Sequence, residues 1–325
     1  MNEALPSVTV LIAARPDQAD IKAVTAARAL DYPREKLEII VARGKQPSVQ
    51  RNAAIRAAKG GLIYFLDDDS MPSPGNLRRA VAHFAEAKVK MAGGPSLCPA
   101  EAPWLEQVFA LVHASWLAFW SSRARYAAVG RLRESGEKEL ILCNLMARRE
   151  ALLESGGFNE ALYPNEENAL MDHLQKNGGR LLYDPQLVAY RRPRHNLRAF
   201  VKMLLNYGRG RAEQFRLHPT TGSAANFAPP LFCLYLAALP LLVYWLGKAG
   251  LIPLAGYAAI LLVQTAALIP RGGFWQSLGA VPLIVLTHVL YGLGFWRGMF
   301  TTLDSKGGTD NGVPKTPVVL ETVPL

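Results

Sequence analysis

A chain of 325 residues, half of them hydrophobic, can bury one large core or two smaller ones. Its net charge of +10 raises nucleic acid as a partner, but the basic residues form no face with interleaved aromatics, so nucleic acid is excluded. Cys98, Cys143 and Cys233 lack metal-ligand or redox spacing; they are assigned no chemistry and agree with a reducing compartment.

The opening MNEALPSVTV has no basic segment leading into an apolar stretch and a small-residue cleavage site. No secretory signal is therefore expected, and the front domain is expected in the cytoplasm. Strands are predicted over 8–13 (VTVLIA), 37–42 (LEIIVA) and 62–66 (LIYFL), with helices near 17–30 and over 47–59 between them. Strands apolar on both faces and joined by helices argue for an α/β fold with a parallel sheet, whose ligands gather beyond the carboxyl ends of the strands. A helix over 75–87, started near Ser73-Pro74, and a strand over 89–94 follow. Residues 103–120, PWLEQVFALVHASWLAFW, predict one very apolar helix, either a core helix or one touching the bilayer.

Past residue 190 the character changes. Arg191, Arg192, Arg194, Arg198, Lys202, Arg209, Arg211 and Arg216 face only Glu213 as a local acid, a density that marks the cytoplasmic side of a membrane and attracts anionic lipid headgroups. In a helix beginning near Asn196, Leu197, Phe200, Val201, Leu204, Leu205, Ala212 and Phe215 share a stripe flanked by the basic residues. That is the pattern of an interfacial helix, here expected in two pieces because of Gly208 and Gly210. From Phe227 to Phe300 the charged side chains are Lys248, Arg271 and Arg297 alone. The apolar runs 227–246, 251–270 and 278–296 each approach the ~20 residues that cross a bilayer, and three spanning helices are expected. After Asp304 the tail, rich in Gly, Thr and Pro, is expected to be loose. The divisions expected are 1–190, a soluble domain; 191–222, a basic interfacial region; 223–303, transmembrane helices; and 304–325, a flexible tail.

Chemistry concentrates at YFLDDDSMP, residues 64–72. Three adjacent carboxylates repel by about 1 kcal/mol per close pair even in water, and a divalent cation offsets that repulsion. In extended backbone Asp67 and Asp69 face one site while Asp68 points elsewhere; a solvated turn or helix cap is the alternative. A second acidic pair, Glu166 and Glu167, opens a helix after the turn Gly156-Gly157, where the helix dipole alone would account for it.

Taken in order, QRNAAIRAAKG (50–60), FLDDDSMPSPGNL, GGFNE (156–160) and EENALMDHLQKNG (166–178) resemble the motifs of the family 2 glycosyltransferases. The resemblance implies a GT-A fold, the Rossmann-like nucleotide-diphospho-sugar transferase domain, followed here by C-terminal transmembrane helices. It implies inverting transfer from a nucleotide sugar, with Mg²⁺ or Mn²⁺ held by Asp67 and Asp69 and with Asp68 lending charge or touching the ribose. Glu167 matches the family's general base, and Glu166 is the neighbour able to replace it. Arg51 and Asn52 would line the donor pocket. Where the family carries an acidic DDGS after the second strand, this chain has Arg43 and Lys45, and Asp17 would take over part of base recognition. The stretch YRRPRHNLRAFVKMLLNYGRG (190–210) resembles membrane-associated members that build exopolysaccharides of the succinoglycan kind, and Arg191, Arg194 and His195 would then meet the diphosphate. No Q-x-x-R-W signature follows, which favours addition of a single sugar. The implied partners are a nucleotide-sugar donor, a lipid-linked glycan acceptor and the lipids of the inner (plasma) membrane, with a multi-pass anchor and a cytoplasmic catalytic domain. A polyprenyl-phosphate sugar synthase and a non-catalytic nucleotide-binding membrane adaptor remain as alternatives.

Overall fold

Every side chain from Val8 to Ile12 is buried, as in a strand covered on both faces. The computed structural model describes residues 5–160, 166–217, 226–301 and 317–325. In chain order these form β1 (Val8–Ala14), α1 (Lys22–Arg28), β2 (Leu37–Arg43), α2 (Pro47–Ala57), β3 (Leu62–Asp67), β4 (Met71–Pro72), α3 (Asn76–Ala82), β5 (Val89–Gly93), β6 (Ser96–Leu97), α4 (Trp104–Ala114) and α5 (Trp116–Phe119). There follow β7 (Arg133–Ser135), β8 (Leu145–Arg148), α6 (Arg149–Glu154), α7 (Glu166–Lys176), β9 (Arg180–Tyr183), β10 (Ala189–Tyr190), α8 (Leu197–Leu217), α9 (Ala228–Leu246), α10 (Ile252–Phe300) and β11 (Val319–Thr322). Two units result, one from Met1–Pro99, Ser121–Arg192 and Lys306–Leu325, the other from Ala100–Trp120 and Pro193–Ser305.

In the first unit the main sheet has the order β11-β2-β1-β3-β8-β5-β9-β7. Strands β1, β2 and β3 are parallel as expected, and Ala13 pairs with Asp67, so the aspartates begin where the ladder ends. The Gln50 amide donates to both Ala14 O (2.7 Å) and Ala42 O (2.6 Å), tying the ends of β1 and β2 together. The expectation of a parallel sheet needs correction at β8, which runs antiparallel to β3 and β5, at β7, antiparallel to β9, and at β11. Apolar residues pack equally well in either direction, so the pattern of LMAR carries no sign of its orientation.

The tail also departs from expectation. Residues 319–322 are not loose: they add an edge strand antiparallel to β2, pairing Val319 with Arg43 through Thr322 with Ile40. Arg43 Nε meets Glu321 Oε2 at 3.0 Å, and Val323 N donates to Ile39 O. The β-branched VVLET segment can satisfy an open strand edge, a gain invisible in the tail's average composition. Residues 304–316 and 218–222 of the expected divisions lie outside the described residues.

Asp184 follows β9 with a fully buried carboxylate that accepts from Arg79 (2.6 and 3.1 Å) and Gln186 N (3.0 Å), with His83 at 2.8 Å. Burial pushes its pKa up, but the Arg79, Gln186 and His83 hydrogen bonds prevail and hold it below the ordinary carboxylate value. A depressed folded-state pKa stabilises the fold above the unfolded value of ~3.9 and ceases to do so as pH falls through the folded one. Asp184→Asn is expected to cost about 3 kcal/mol at neutral pH, and the gap from the natural chain closes in acid below pH ~4. Thermal unfolding in detergent at both pH values checks this.

In the second unit the expected single helix over 103–120 is broken: α4 ends at Ala114, and the Ser115 hydroxyl accepts from Ala118 N to start α5. Helix α8, by contrast, is continuous through Gly208 and Gly210. The glycines serve close packing: a Cβ on Gly208 would lie 2.1 Å from Tyr291 O, one on Gly294 2.2 Å from Leu205 O, and one on Gly298 2.5 Å from Arg209 O. Helices α8 and α10 thus touch backbone to backbone. The stripe expected to face lipid is largely spent inside the unit. Phe200, Leu204 and Ala212 are buried, and Phe200 stacks on Phe109 of α4 at 4.3 Å. Gly294→Leu should cost about 3 kcal/mol, since the opposing atoms are backbone and cannot rotate away; a lowered Tm in detergent would show it.

Helix α10 carries Pro270 and a non-helical residue at Gly273 (φ 78°, ψ 173°), so its two apolar runs are separate helical pieces in one element. Among the described residues, one apolar helical stretch, Ala228–Phe300, is long and apolar enough to cross a membrane.

Candidate active site

Beyond the end of β3 the chain turns, with Ser70 N donating to Asp67 O at 3.0 Å. Short strand β10 pairs Tyr190 with Met71 and Arg191 N donates to Leu97 O, which delivers Arg191 to the aspartates from 122 residues away. Its guanidinium bridges them, with Nη1 at 2.9 Å from Asp67 Oδ2 and Nε at 2.8 Å from Asp69 Oδ1. Burial pushes the Asp69 carboxyl up; Arg191 opposes this, and Asp67 and Asp68 add to it, so the net direction is upward. Arg191 is held well above the usual guanidinium range: burial disfavours its charge, and Asp67, Cys143 and Asp69 outweigh that penalty.

The second arginine, Arg51 on α2, is buried and connects two of the sequence motifs. It reaches Asp67 Oδ1 at 3.4 Å and Glu166 Oε1 at 3.2 Å. Glu166 is itself buried at the first turn of α7, whereas Glu167 beside it is half-exposed. Successive helical residues point about 100° apart, so one acid of the pair is committed to Arg51 and the other turns elsewhere.

Asn52, next to Arg51 on α2, braces a turn. Its amide donates to Phe158 O (2.8 Å) and Glu160 Oε1 (3.0 Å) and accepts from Phe158 N (2.8 Å). Gly157 makes this possible: its φ is 78°, and a Cβ there would come 2.4 Å from Asn52 Oδ1. The RN and GGFNE motifs are therefore halves of one clamp. Asp17 lies exposed on the turn after β1, and Asp68, half-buried, gives its carbonyl to Ala23 N. Arg194 and His195 are exposed residues of the second unit. Arg43, standing where the family's acids would be, bonds Gln18 O at 2.8 Å as well as Glu321. Glu321 and Gln50 had no local signal in the sequence; both act through partners distant in the chain.

The donor set suits a divalent ion. Asp67 and Asp69 converge on one cation, the Arg191 guanidinium, and the Ser70 hydroxyl beside them is buried with no partner among the described residues. Two carboxylates, completed by water and phosphate oxygens, are what Mg²⁺ or Mn²⁺ takes.

Comparison with known proteins agrees with the motifs. A family model described as glycosyltransferase like family 2 matches residues 1–206. The chain is 27% identical over 201 residues to the succinoglycan biosynthesis protein ExoA of Rhizobium meliloti, covering 59% of this chain and 56% of that one. It is 25% identical over 186 residues to the pre-mycofactocin glycosyltransferase of Mycobacterium tuberculosis, covering 54% and 36%. The chain thus spans about half or less of the length of these relatives. Among solved structures, a mannosyltransferase, PcManGT from Pyrobaculum calidifontis in complex with GDP-Man and Mn²⁺, superposes with a TM-score of 0.53 at 17% identity, over 91% of this chain and 87% of that one. The first unit is the mixed α/β, GT-A-like domain that the motifs implied. With more than half of its length matched by the family model, this chain belongs to glycosyltransferase family 2.

Proposed function

We propose that the protein transfers one sugar, with inversion, from a nucleotide-sugar donor to a lipid-linked saccharide at the cytoplasmic face of the inner membrane. The observation that carries this reading is the convergence of Asp67 and Asp69 on a single positive charge at a strand end, with Glu166 one arginine away. The names of the relatives, one in succinoglycan biosynthesis and one a glycosyltransferase, support it, as does the fold likeness to a protein holding GDP-Man and Mn²⁺. The apolar stretch Ala228–Phe300 supports a membrane anchor that keeps the domain near a lipid-borne acceptor.

In this reading Asp67 and Asp69 hold Mg²⁺ or Mn²⁺, which when bound neutralises charge building on the departing diphosphate. Arg191 adds a guanidinium at the same locus, suited to phosphate oxygens. Asp68 and Asp17 stand by the donor's nucleoside. Arg51 is a positioning residue, holding Asp67 and Glu166 in register, and Asn52 fixes the turn that leads toward α7. Glu167 takes the proton of the acceptor hydroxyl. The freed oxygen pair bonds the anomeric carbon from the face opposite the diphosphate, and the nucleoside diphosphate leaves with the electrons of the broken C–O bond.

A panel of nucleotide sugars offered to purified membranes containing the protein tests this. Release of one nucleoside diphosphate with appearance of a lipid-linked glycan is expected; no release from any donor with either ion would overturn it.

A further inference from the structure

Hydropathy alone suggested three crossings, an odd number, which would strand the last residues across the membrane from the first. The structure gives two reasons why the excursion must return. Strand β11 pairs along β2, and beyond it Arg28 Nε donates to Pro324 O at 2.9 Å, so Met1–Pro99, Ser121–Arg192 and Lys306–Leu325 build one folded unit. A single folded unit occupies one side of a bilayer. Residues 302–316, with Asp304, Lys306, Asp310 and Lys315, are too polar to cross by themselves.

The second reason lies wholly within the helical unit. The end of α10 sits beside the start of α9, not beside its end. Phe227 packs on Phe295 at 4.9 Å, Trp296 Nε1 donates to Pro230 O at 3.1 Å, and a Cβ on Gly292 would meet Pro229 O at 2.7 Å. The same end is tied to α8, where Arg216 Nη1 donates to Gly298 O (3.0 Å) and Thr301 O (2.6 Å). Helix α8 carries Arg198, Lys202, Arg209, Arg211 and Arg216, and each would cost about 2.5–3.5 kcal/mol at the centre of a bilayer. A helix piece bound backbone to backbone along it does not span.

We infer that the apolar stretch crosses the membrane twice, as a hairpin of α9 and the part of α10 before Gly273, while the part after Gly273 lies along α8 without crossing. The crossing pair is long enough: 19 residues in α9, and Ile252 to Gly272 in α10, each roughly 30 Å at 1.5 Å per residue. Its surface is apolar and open, with Leu241 58%, Leu262 72% and Val263 63% exposed. Aromatic residues mark both boundaries. Tyr244 and Trp245 stand 80% and 73% exposed before the turn Gly247–Leu251, and Phe274 and Trp275 stand 57% and 70% exposed just past the break. Trp and Tyr favour headgroup depth, and the lone charges Lys248 and Arg271 fall at these same two levels.

This inference rests on the membrane-anchored reading but not on catalysis, so it is tested by labelling rather than turnover. The full chain, with the natural chain as blank, is given Lys248→Cys, Glu35→Cys or a cysteine appended after Leu325, and spheroplasts are treated with a membrane-impermeant maleimide. Lys248→Cys should label in intact spheroplasts, at least tenfold above the blank. Glu35→Cys and the appended cysteine should label only after lysis. Labelling of the appended cysteine in intact spheroplasts overturns the even count, and a silent Lys248→Cys overturns the hairpin. Recovery of the chain in the soluble fraction would overturn the hairpin and the anchor together.

Discussion

Asp69→Asn is expected to lower the initial rate of sugar transfer by about 10³-fold, or about 4 kcal/mol of barrier. The substitution keeps the side chain's size and removes its charge, so the local fold should persist while the donor set falls from two carboxylates to one. Burial opposes the charge on Asp69, which is held in the structure by Arg191 Nε at 2.8 Å. Because Asp67 is tied also to Arg51, asparagine at 69 should leave the Arg51–Glu166 pair in place. Initial rates over a Mn²⁺ titration, with the bound ion followed by electron paramagnetic resonance, check both halves. A variant that keeps a tenth of the natural rate, or binds Mn²⁺ unchanged, would remove the aspartates from the mechanism.

Glu167→Gln and Glu166→Gln should fail in different ways. Loss of a general base slows the chemical step by roughly 10²–10⁴-fold, so Glu167→Gln should lower kcat with the donor's dissociation constant unchanged. Glu166→Gln leaves buried Arg51 with Asp67 at 3.4 Å in place of two carboxylates, which should appear as a lower Tm and weaker donor binding. The kcat-against-binding split distinguishes base from support. If the double variant turns over normally, the acceptor is already ionised, as in a polyprenyl-phosphate sugar synthase, and no base is needed.

Strands β1, β2 and β3 were legible because a strand buried on both faces needs an unbroken apolar run, and VTVLIA, LEIIVA and LIYFL provide one. The aspartates were legible for the opposite reason: three like charges after such a run call for a counter-charge. What supplies it in the structure, Arg191, lies in a basic cluster where one arginine looks like the next, and only the β10 pairing singles it out. Asn52 shows a different limit. Its motif was recognised, but an amide can bind a ligand or brace a turn, and the choice depends on Gly157, more than a hundred residues on. Gly208 read as a helix breaker because propensity is local, while the backbone of α10 that needs its small size comes much later in the chain. The tail's strand was hidden for the same reason, since its partner edge is nearly three hundred residues upstream.

That distance has a consequence for biogenesis. Strand β2 is made about 280 residues before β11, so at about 5–20 residues per second the ribosome leaves the β2 edge bare for roughly 15–55 seconds. Ile39, Ile40, Val41 and Ala42, all buried in the finished protein, are then an unguarded template for pairing with another nascent chain. Pairing of β11 is what closes that edge, and a chain cut short before Val319 would keep it open.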